Sequence, residues 1–422
     1  MNRLRFTIPP RVWRTIAAVW ALTQVAGAAS AQDVPLTPLP SSTFELGPLG
    51  LTPSFEISSF GVDTNVFRTT TDQKSDYVGT ALARLETVFQ ARRLTLLADG
   101  AITRNFFRRY SELSTMGGGG RAHLRFSFGS FEPFVESSYS SGRQRPSLEV
   151  DLLMKHSQAD VGAGVEVALG AFTRLRFTGT QLRFDYQDDG YDEAGNEEAL
   201  EQARLVREGL NRTELHLNLT AQHEITPLTS VTLAGGYDDY RFTFLPIRDG
   251  TSAFVAPGVT FADGGLFRGG GSAGYRRLDL NDPTAPDFSG LIGSTDLEMV
   301  LFGRLRLRMR AARDFFFSRS DTQPYYVETT ITGFVSFAVN DRLELGASTG
   351  RAHLQYSAVR DGVDPGVARD SELTTPREAA IILRLNTHVR AELRGEFIKR
   401  HGEQAPERGY EGNRIYTVLA IR

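Results

Sequence analysis

The chain has 422 residues, with 47 Lys and Arg against 50 Asp and Glu and a formal net charge of −3, a balance that does not suggest a nucleic-acid partner. It contains no cysteine, which removes a disulfide framework, a thiolate metal site and a lipoprotein anchor. Beyond the N-terminal segment no run approaches the ~18 apolar residues of a membrane helix, while glycine numbers 41 and aromatic residues make up 10%.

In chain order, Arg3, Arg5, Arg11 and Arg14 precede the apolar run TIAAVWALTQVAGA, which ends in Ala29-Ser30-Ala31. This is the pattern of a secretory signal over residues 1–31, with cleavage near Ala31. Removing it leaves 43 basic against 50 acidic residues. The next segment, residues 32–50, opens with QDVPLTPLPSS and is expected to be an extended, Pro-rich periplasmic linker.

From residue 51 to 422 the hydrophobic period changes to two. The segment FGRLRLRMRAARDFFF (302–317) alternates Arg304, Arg306, Arg308 and Arg310 with Leu305, Leu307, Met309 and Ala311. On a helix, at about 100° per residue, the arginines would share no face. On a strand they make one cationic face and one apolar face. About eighteen such segments recur, among them ALARLETVF (81–89), RLTLLADGAI (93–102), ELHLNLTA (214–221), TITGFVSFAV (330–339), AAIILRLN (379–386) and RIYTVLAI (414–421). Each has about ten residues, the length of a tilted strand crossing a hydrocarbon layer.

The connections alternate between tight and long. Tight turns are expected near 91–92, 129–130, 171–172, 227, 263–264, 302–303, 340–341 and 387–388. Long polar stretches are expected near 61–76, 105–119, 141–157, 185–212, 243–251, 279–289, 314–325, 356–376 and 400–412. Short periplasmic turns, long outer loops and an even strand number describe an all-β, antiparallel, up-and-down outer-membrane barrel of about 18 strands. A soluble two-sheet sandwich has no reason to keep that alternation. Phe106-Phe107, Tyr139, Tyr186, Tyr240, Phe315 to Phe317 and Tyr325-Tyr326 are expected to form the outer aromatic girdle. Phe89, Phe128, Phe131, Phe172, Phe261 and Phe337 would form the inner one.

Leucines of the 302–317 strand then face lipid, where an arginine costs about 2–4 kcal/mol at the midplane, and its arginines face water. Eighteen strands enclose more space than side chains fill, so the lumen is a channel unless something plugs it. Inward parity gives a basic wall of Arg304, Arg306, Arg308, Arg310, Arg384, Arg390 and Arg394. It also gives an acidic wall of Glu132, Glu136, Asp160 and Glu166, eight places away in a ring of eighteen. A transverse field across the pore follows from that placement. The alternative is that these arginines pair with neighbours, Asp296 and Glu298 or Glu392 and Glu396, and contribute little.

Within residues 185–212, the stretch from Asn196 to Gly209 is helix-like, with Asn196 as N-cap and Gly209 as C-cap. It would be either a lid over the mouth or an exposed helix. RGGGSAG (268–274) fits G-x-G-x-x-G, but no helix follows, so barrel-shaping glycines explain it. The histidines at 123, 156, 216, 223, 353, 388 and 401 lack metal-ligand spacing, and no catalytic, cofactor or metal site is expected.

The stretch GPLGLTPSFEISSFGVDTNVF (47–67) resembles the opening of the putative β-barrel porin 2 family, through Pro53, Asp63, Asn65, Val66 and Phe67. Family members are associated with exopolysaccharide secretion. The resemblance implies a terminal conduit for a secreted polysaccharide, with that polymer as cargo and a periplasmic polysaccharide-export protein as partner, besides outer-membrane lipids and the barrel assembly machinery. The chain ends in Ile421-Arg422 rather than in the aromatic residue typical of barrel assembly signals. A general diffusion porin is the second reading, and an outer-membrane enzyme such as a lipase or deacylase the third.

Overall fold

A computed structural model describes residues 42–150, 153–187, 197–320, 322–362, 371–402 and 409–421. The signal segment with its cleavage site, and the first part of the linker, lie outside the described residues.

A short strand β1 (Phe44–Leu46) leads into β2 (Leu49–Asp63), β3 (Asp76–Ala91), β4 (Leu94–Phe107), β5 (Thr115–Phe126) and β6 (Phe131–Gln144). Then come β7 (Met154–Leu169), β8 (Thr173–Tyr186), a helix α1 (Glu197–Leu210), β9 (Arg212–Thr226), β10 (Thr229–Phe242), β11 (Gly250–Phe261), β12 (Phe267–Leu280) and β13 (Phe288–Leu301). The chain closes with β14 (Leu305–Phe317), β15 (Tyr325–Ala338), β16 (Leu343–Tyr356), β17 (Ser371–Arg384), β18 (Val389–Gly402) and β19 (Tyr410–Ile421). Each strand from β2 to β19 pairs antiparallel with the next, and β19 returns to β2 with Arg414 opposite Asp63 and Ile421 opposite Phe55. The result is a closed barrel of eighteen strands. The strands run 12–16 residues, longer than the ~10 of each alternating segment, because they continue above the lipid zone into the outer loops.

Closure leaves no sheet edge, the condition for strands to cross hydrocarbon. The tight turns fall where the sequence places them, and Gly129 (φ 79°) and Gly303 (φ 66°) occupy left-handed positions there that a side chain would strain. Both strand-bearing chain ends, at Leu49 and Ile421, lie at the short-turn end.

Inside and outside follow the pleat. Leu297, Met309 and Gly333 share one rung and Asp296, Arg310 and Thr332 the next, so the charged set faces inward and the apolar set outward. One bulge resets the count: between Ser58 and Gly61 the register slips, with Ser59 at φ 54°. Phe60 is thereby turned outward, and Asp63 inward to meet Arg414 at 3.1 Å.

The aromatic expectation divides. Phe128, Phe131, Phe172 and Phe337 are exposed on the outer wall near the short turns, and Phe106 and Tyr139 near the long loops, beside Tyr77, Tyr237 and Tyr275. Tyr186, Tyr240, Phe315, Phe317, Tyr325 and Tyr326 are instead buried inside the mouth, for the reason given below. The end of α1 is also corrected. Gly209 lies within the helix, which runs to Leu210, and a Cβ there would sit 3.0 Å from the Arg319 carbonyl. Close approach of another chain segment, rather than capping, requires the glycine. Asn196 lies outside the described residues. In the 268–274 segment, Gly269 to Gly274 lie within β12.

Candidate functional site

The middle of the lumen is lined by charges that meet across strands. Arg308 Nε donates to Asp296 at 2.6 Å and Arg310 lies 3.3 Å from the same carboxylate. Arg268 takes Glu298 and Arg384 takes Glu344, each at 2.6 Å. Arg306 shares this face. In this sector Arg268, Arg306, Arg308, Arg310 and Arg384 outnumber Asp296, Glu298 and Glu344. Arg304 sits just before β14, exposed in the turn.

Arg390 and Arg394, grouped with the basic wall in the sequence, belong to a sector of opposite excess. Arg390 lies 2.6 Å from Glu392, and Arg394 lies 2.6 Å from Glu392 and 2.9 Å from Glu378. Arg400 pairs with Glu372, both buried, and Arg414 reaches Glu396 at 3.6 Å besides Asp63. With Glu56 also inward, carboxylates outnumber arginines from β17 round to β2.

The expected acidic wall carries its own cations. Glu132 accepts Ser127 Oγ at 2.6 Å and lies 3.6 Å from Arg125. Glu136 lies 3.5 Å from His123 and 4.0 Å from Arg176, Glu166 lies 4.0 Å from Arg174, and Asp160 accepts Ser138 Oγ. Arg125, Arg174 and Arg176 have the same inward parity as these carboxylates, so the wall is mixed in sign. The lumen is therefore a mosaic of neighbouring sectors rather than two opposed walls.

Toward the outer end the wall stops being a simple cylinder. Pairing of β13 with β14 ends at Gly293 opposite Arg313, whereas β14 stays paired with β15 up to Phe317 opposite Tyr325, and β15 with β16 up to Tyr326 opposite Tyr356. Above this fork the β14–β15 end leans into the lumen. Its formerly outward face packs on the inner faces of β10 to β13. Phe317 lies 5.0 Å from the Tyr240 ring and 4.8 Å from Phe242, and Phe288 lies 5.6 Å from Phe315 and 5.9 Å from Tyr325. Its other face, with Phe316 and Tyr326, packs on Leu354, Tyr356 and Leu148. Leu182, Phe184, Val206 of α1, Leu278 and Ile292 complete one apolar cluster across this side of the mouth.

Loops clamp the tip. Arg248, 1% exposed, donates from Nη1 to the carbonyls of Gly209 (2.7 Å) and Ser318 (2.5 Å) and from Nη2 to Ser320. Glu149, from the β6–β7 loop, accepts Ser318 Oγ at 2.7 Å and the Arg319 amide at 2.9 Å. Gln323 donates to the Ser357 carbonyl at 2.9 Å. Beneath the cluster, His216 bridges Glu214 (2.8 Å) and Asp238 (2.6 Å). Asp238 also accepts from Ser252 at 2.8 Å and Arg276 at 3.1 Å. Glu214, His216, Asp238 and Arg276 thus meet opposite charges, which low dielectric demands.

The family's sequence profile, described as putative beta-barrel porin 2, matches residues 44–422. The chain belongs to this family. The family's opening motif has a structural task in this porin. The Asp63 carboxylate accepts the Asn65 amide at 2.9 Å, and Asn65 Nδ2 donates to the carbonyls of Thr69 (2.8 Å) and Glu411 (2.9 Å), tying the first outer loop to the start of β19. Val66 packs in a small core with Val78 and Leu113. The protein is thus an outer-membrane β-barrel of porin type.

Among solved structures, the barrel is similar to a BenF-like porin from Pseudomonas fluorescens Pf-5, with TM-score 0.48 and 10% identity over 89% of this chain and 99% of that one. It is also similar to the FrpB iron transporter from Neisseria meningitidis, with TM-score 0.46 and 9% identity over 83% of this chain, which spans 62% of the transporter's length. A third is a bacterial polysaccharide outer membrane secretin, with TM-score 0.39 and 8% identity over 88% and 98% of the two chains. No protein with a curated description matches the sequence.

Proposed function

We propose that this porin is the terminal outer-membrane conduit for a secreted polysaccharide, and not an enzyme. The observation that carries the proposal is the inturned, clamped β14–β15 end, which narrows the outer mouth above a polar lumen. A general diffusion pore works by standing open, whereas a conduit that releases polymer only during synthesis gains from an obstructed mouth. The lumen chemistry suits a carbohydrate, since hydroxyls donate to Glu and Asp and accept from Arg along the same wall. The polysaccharide itself follows from the family resemblance. Its partners would be a periplasmic polysaccharide-export protein delivering the polymer, with the assembly machinery and outer-membrane lipids supporting the barrel after signal removal.

The test is surface polysaccharide in a deletion strain with and without the restored gene, with barrel abundance checked. Loss of surface polymer, regained on restoration, is expected. Normal polymer in the deletion strain would remove the export role and leave the diffusion porin.

A further inference from the structure

We propose that the outer end of β14–β15 is a zipper gate with two stable registers: tucked into the mouth, as in this structure, or re-paired with β13 to complete the wall. The gate rests on the channel reading of the barrel and not on the identity of the cargo.

The upper end of β13, from Phe288 to Ile292, keeps its partner β12 but has no ladder to β14. Continuing the observed register past Gly293–Arg313 would set Ile292 opposite Asp314, Leu291 opposite Phe315, Gly290 opposite Phe316 and Ser289 opposite Phe317. Parity needs no change. Leu305, Leu307, Met309, Ala311 and Arg313 already face outward, so Phe315 and Phe317 would join them. Phe315 would then stand next to Leu291, which is 69% exposed, and one strand from Tyr275, which opposes Leu291. That is the level of the outer girdle, where aromatic rings are stable at the lipid–water boundary.

Each state therefore satisfies what the other leaves open. In the tucked state the rings are buried in the mouth and Arg248 and Glu149 hold the tip. In the zipped state the rings sit in the girdle and the backbone ladder of β13 is completed. Arg313, at the fork, donates Nε to the Leu291 carbonyl at 3.2 Å, a wedge in the place where zipping would begin. Cargo pressing from below onto the tip competes with the clamp, and a ligand shifts such an equilibrium only by its differential contact with the two states.

The absence of native cysteine makes cross-linking clean. The Glu149 and Ser318 side chains meet at 2.7 Å, so E149C/S318C bridged by a short bis-thiosulfonate reagent locks the tucked state. L291C/F315C traps the zipped state. In planar bilayers, oxidised L291C/F315C and, separately, Arg248→Ala should raise mean conductance about tenfold over the native barrel, while bridged E149C/S318C should suppress openings, with reductant reversing both cross-links. Heat-modifiable migration verifies that each wall has assembled. A native barrel that conducts fully and is unmoved by either cross-link overturns the gate and keeps the channel. Silence in every variant, including one lacking Phe315–Tyr325, overturns the channel and the gate with it.

Discussion

The ring of Phe254 lies across Gly236, its direct partner on the neighbouring strand, and carries the guanidinium of Arg276 at 4.6 Å from its centroid. A Cβ on Gly236 would fall 2.9 Å from Phe254 Cζ and closer still to Cε1. The glycine lets a lumen aromatic lie flat, and the flat ring seats an arginine that reaches Asp238 and, at 3.6 Å, Asp314. The same stack recurs with Gly164, Phe134 and Arg176, whose guanidinium lies 4.5 Å above the ring.

Gly236→Ala should push Phe254 off the wall and destabilise the barrel by about 1–3 kcal/mol, the usual cost of overpacking. Phe254→Leu in the same chain should recover part of it. Urea unfolding in detergent or liposomes measures both. A neutral Gly236→Ala would mean that the ring has room to move.

The pleat gives a second test. Leu307→Arg places a charge in lipid at about 2–4 kcal/mol and should impair assembly, while Arg306→Leu in the wet lumen should be tolerated. Heat-modifiable gel migration ranks the two, and the reverse order would exchange inside for outside.

This much was legible in the sequence because period-two alternation is a local property: Leu305 to Ala311 declare their face without reference to any partner. Strand number and the order of long and short connections followed from the same signal. The mouth was not legible. Phe315 and Phe317 have the outward parity of girdle residues, and only the loss of β13 pairing above Arg313, a tertiary event held by Arg248 and Glu149 from distant loops, carries them inside. Charge pairing is half legible. Parity brings Asp296 to Arg308, and Glu392 and Glu396 to Arg390 and Arg394, but Glu378 and Glu372 on the adjoining strand β17 join that sector only through the strand register.

The outer loops offer a pH test. The amide and hydroxyl of Thr284, with Arg360 beyond them at 2.7 Å, hold the Asp282 carboxyl below the usual aspartate range. A depressed folded-state pKa gives a contribution present above the unfolded value, ~3.9, and lost as pH falls through the folded one. Amide protection at Thr284 should therefore stay flat from neutral pH down to about 4 and fall only below that. Arg360→Ala should move the loss toward higher pH. Protection already declining above pH ~5 in the native barrel would show that the carboxyl is not held down.

The sign of the β12–β17 sector tests how cargo is guided. Replacing Arg304, Arg306, Arg308 and Arg310 with Glu alone would set like charges beside Asp296 and Glu298, which opposes assembly as well as transport. Adding Arg268→Glu, Asp296→Arg and Glu298→Arg restores opposite charges across β12, β13 and β14 while reversing the local excess. If the exported polymer carries carboxylate, sulfate or phosphate groups, this septuple variant should assemble at native abundance and yet leave little polymer at the cell surface. A neutral polymer would feel it less, since hydroxyls bond to either sign. Surface polysaccharide and barrel abundance, measured together in the deletion strain, separate the outcomes. Native export of a polyanion through the reversed wall would mean that the arginines of β14 hold the wall together and do not steer what passes it.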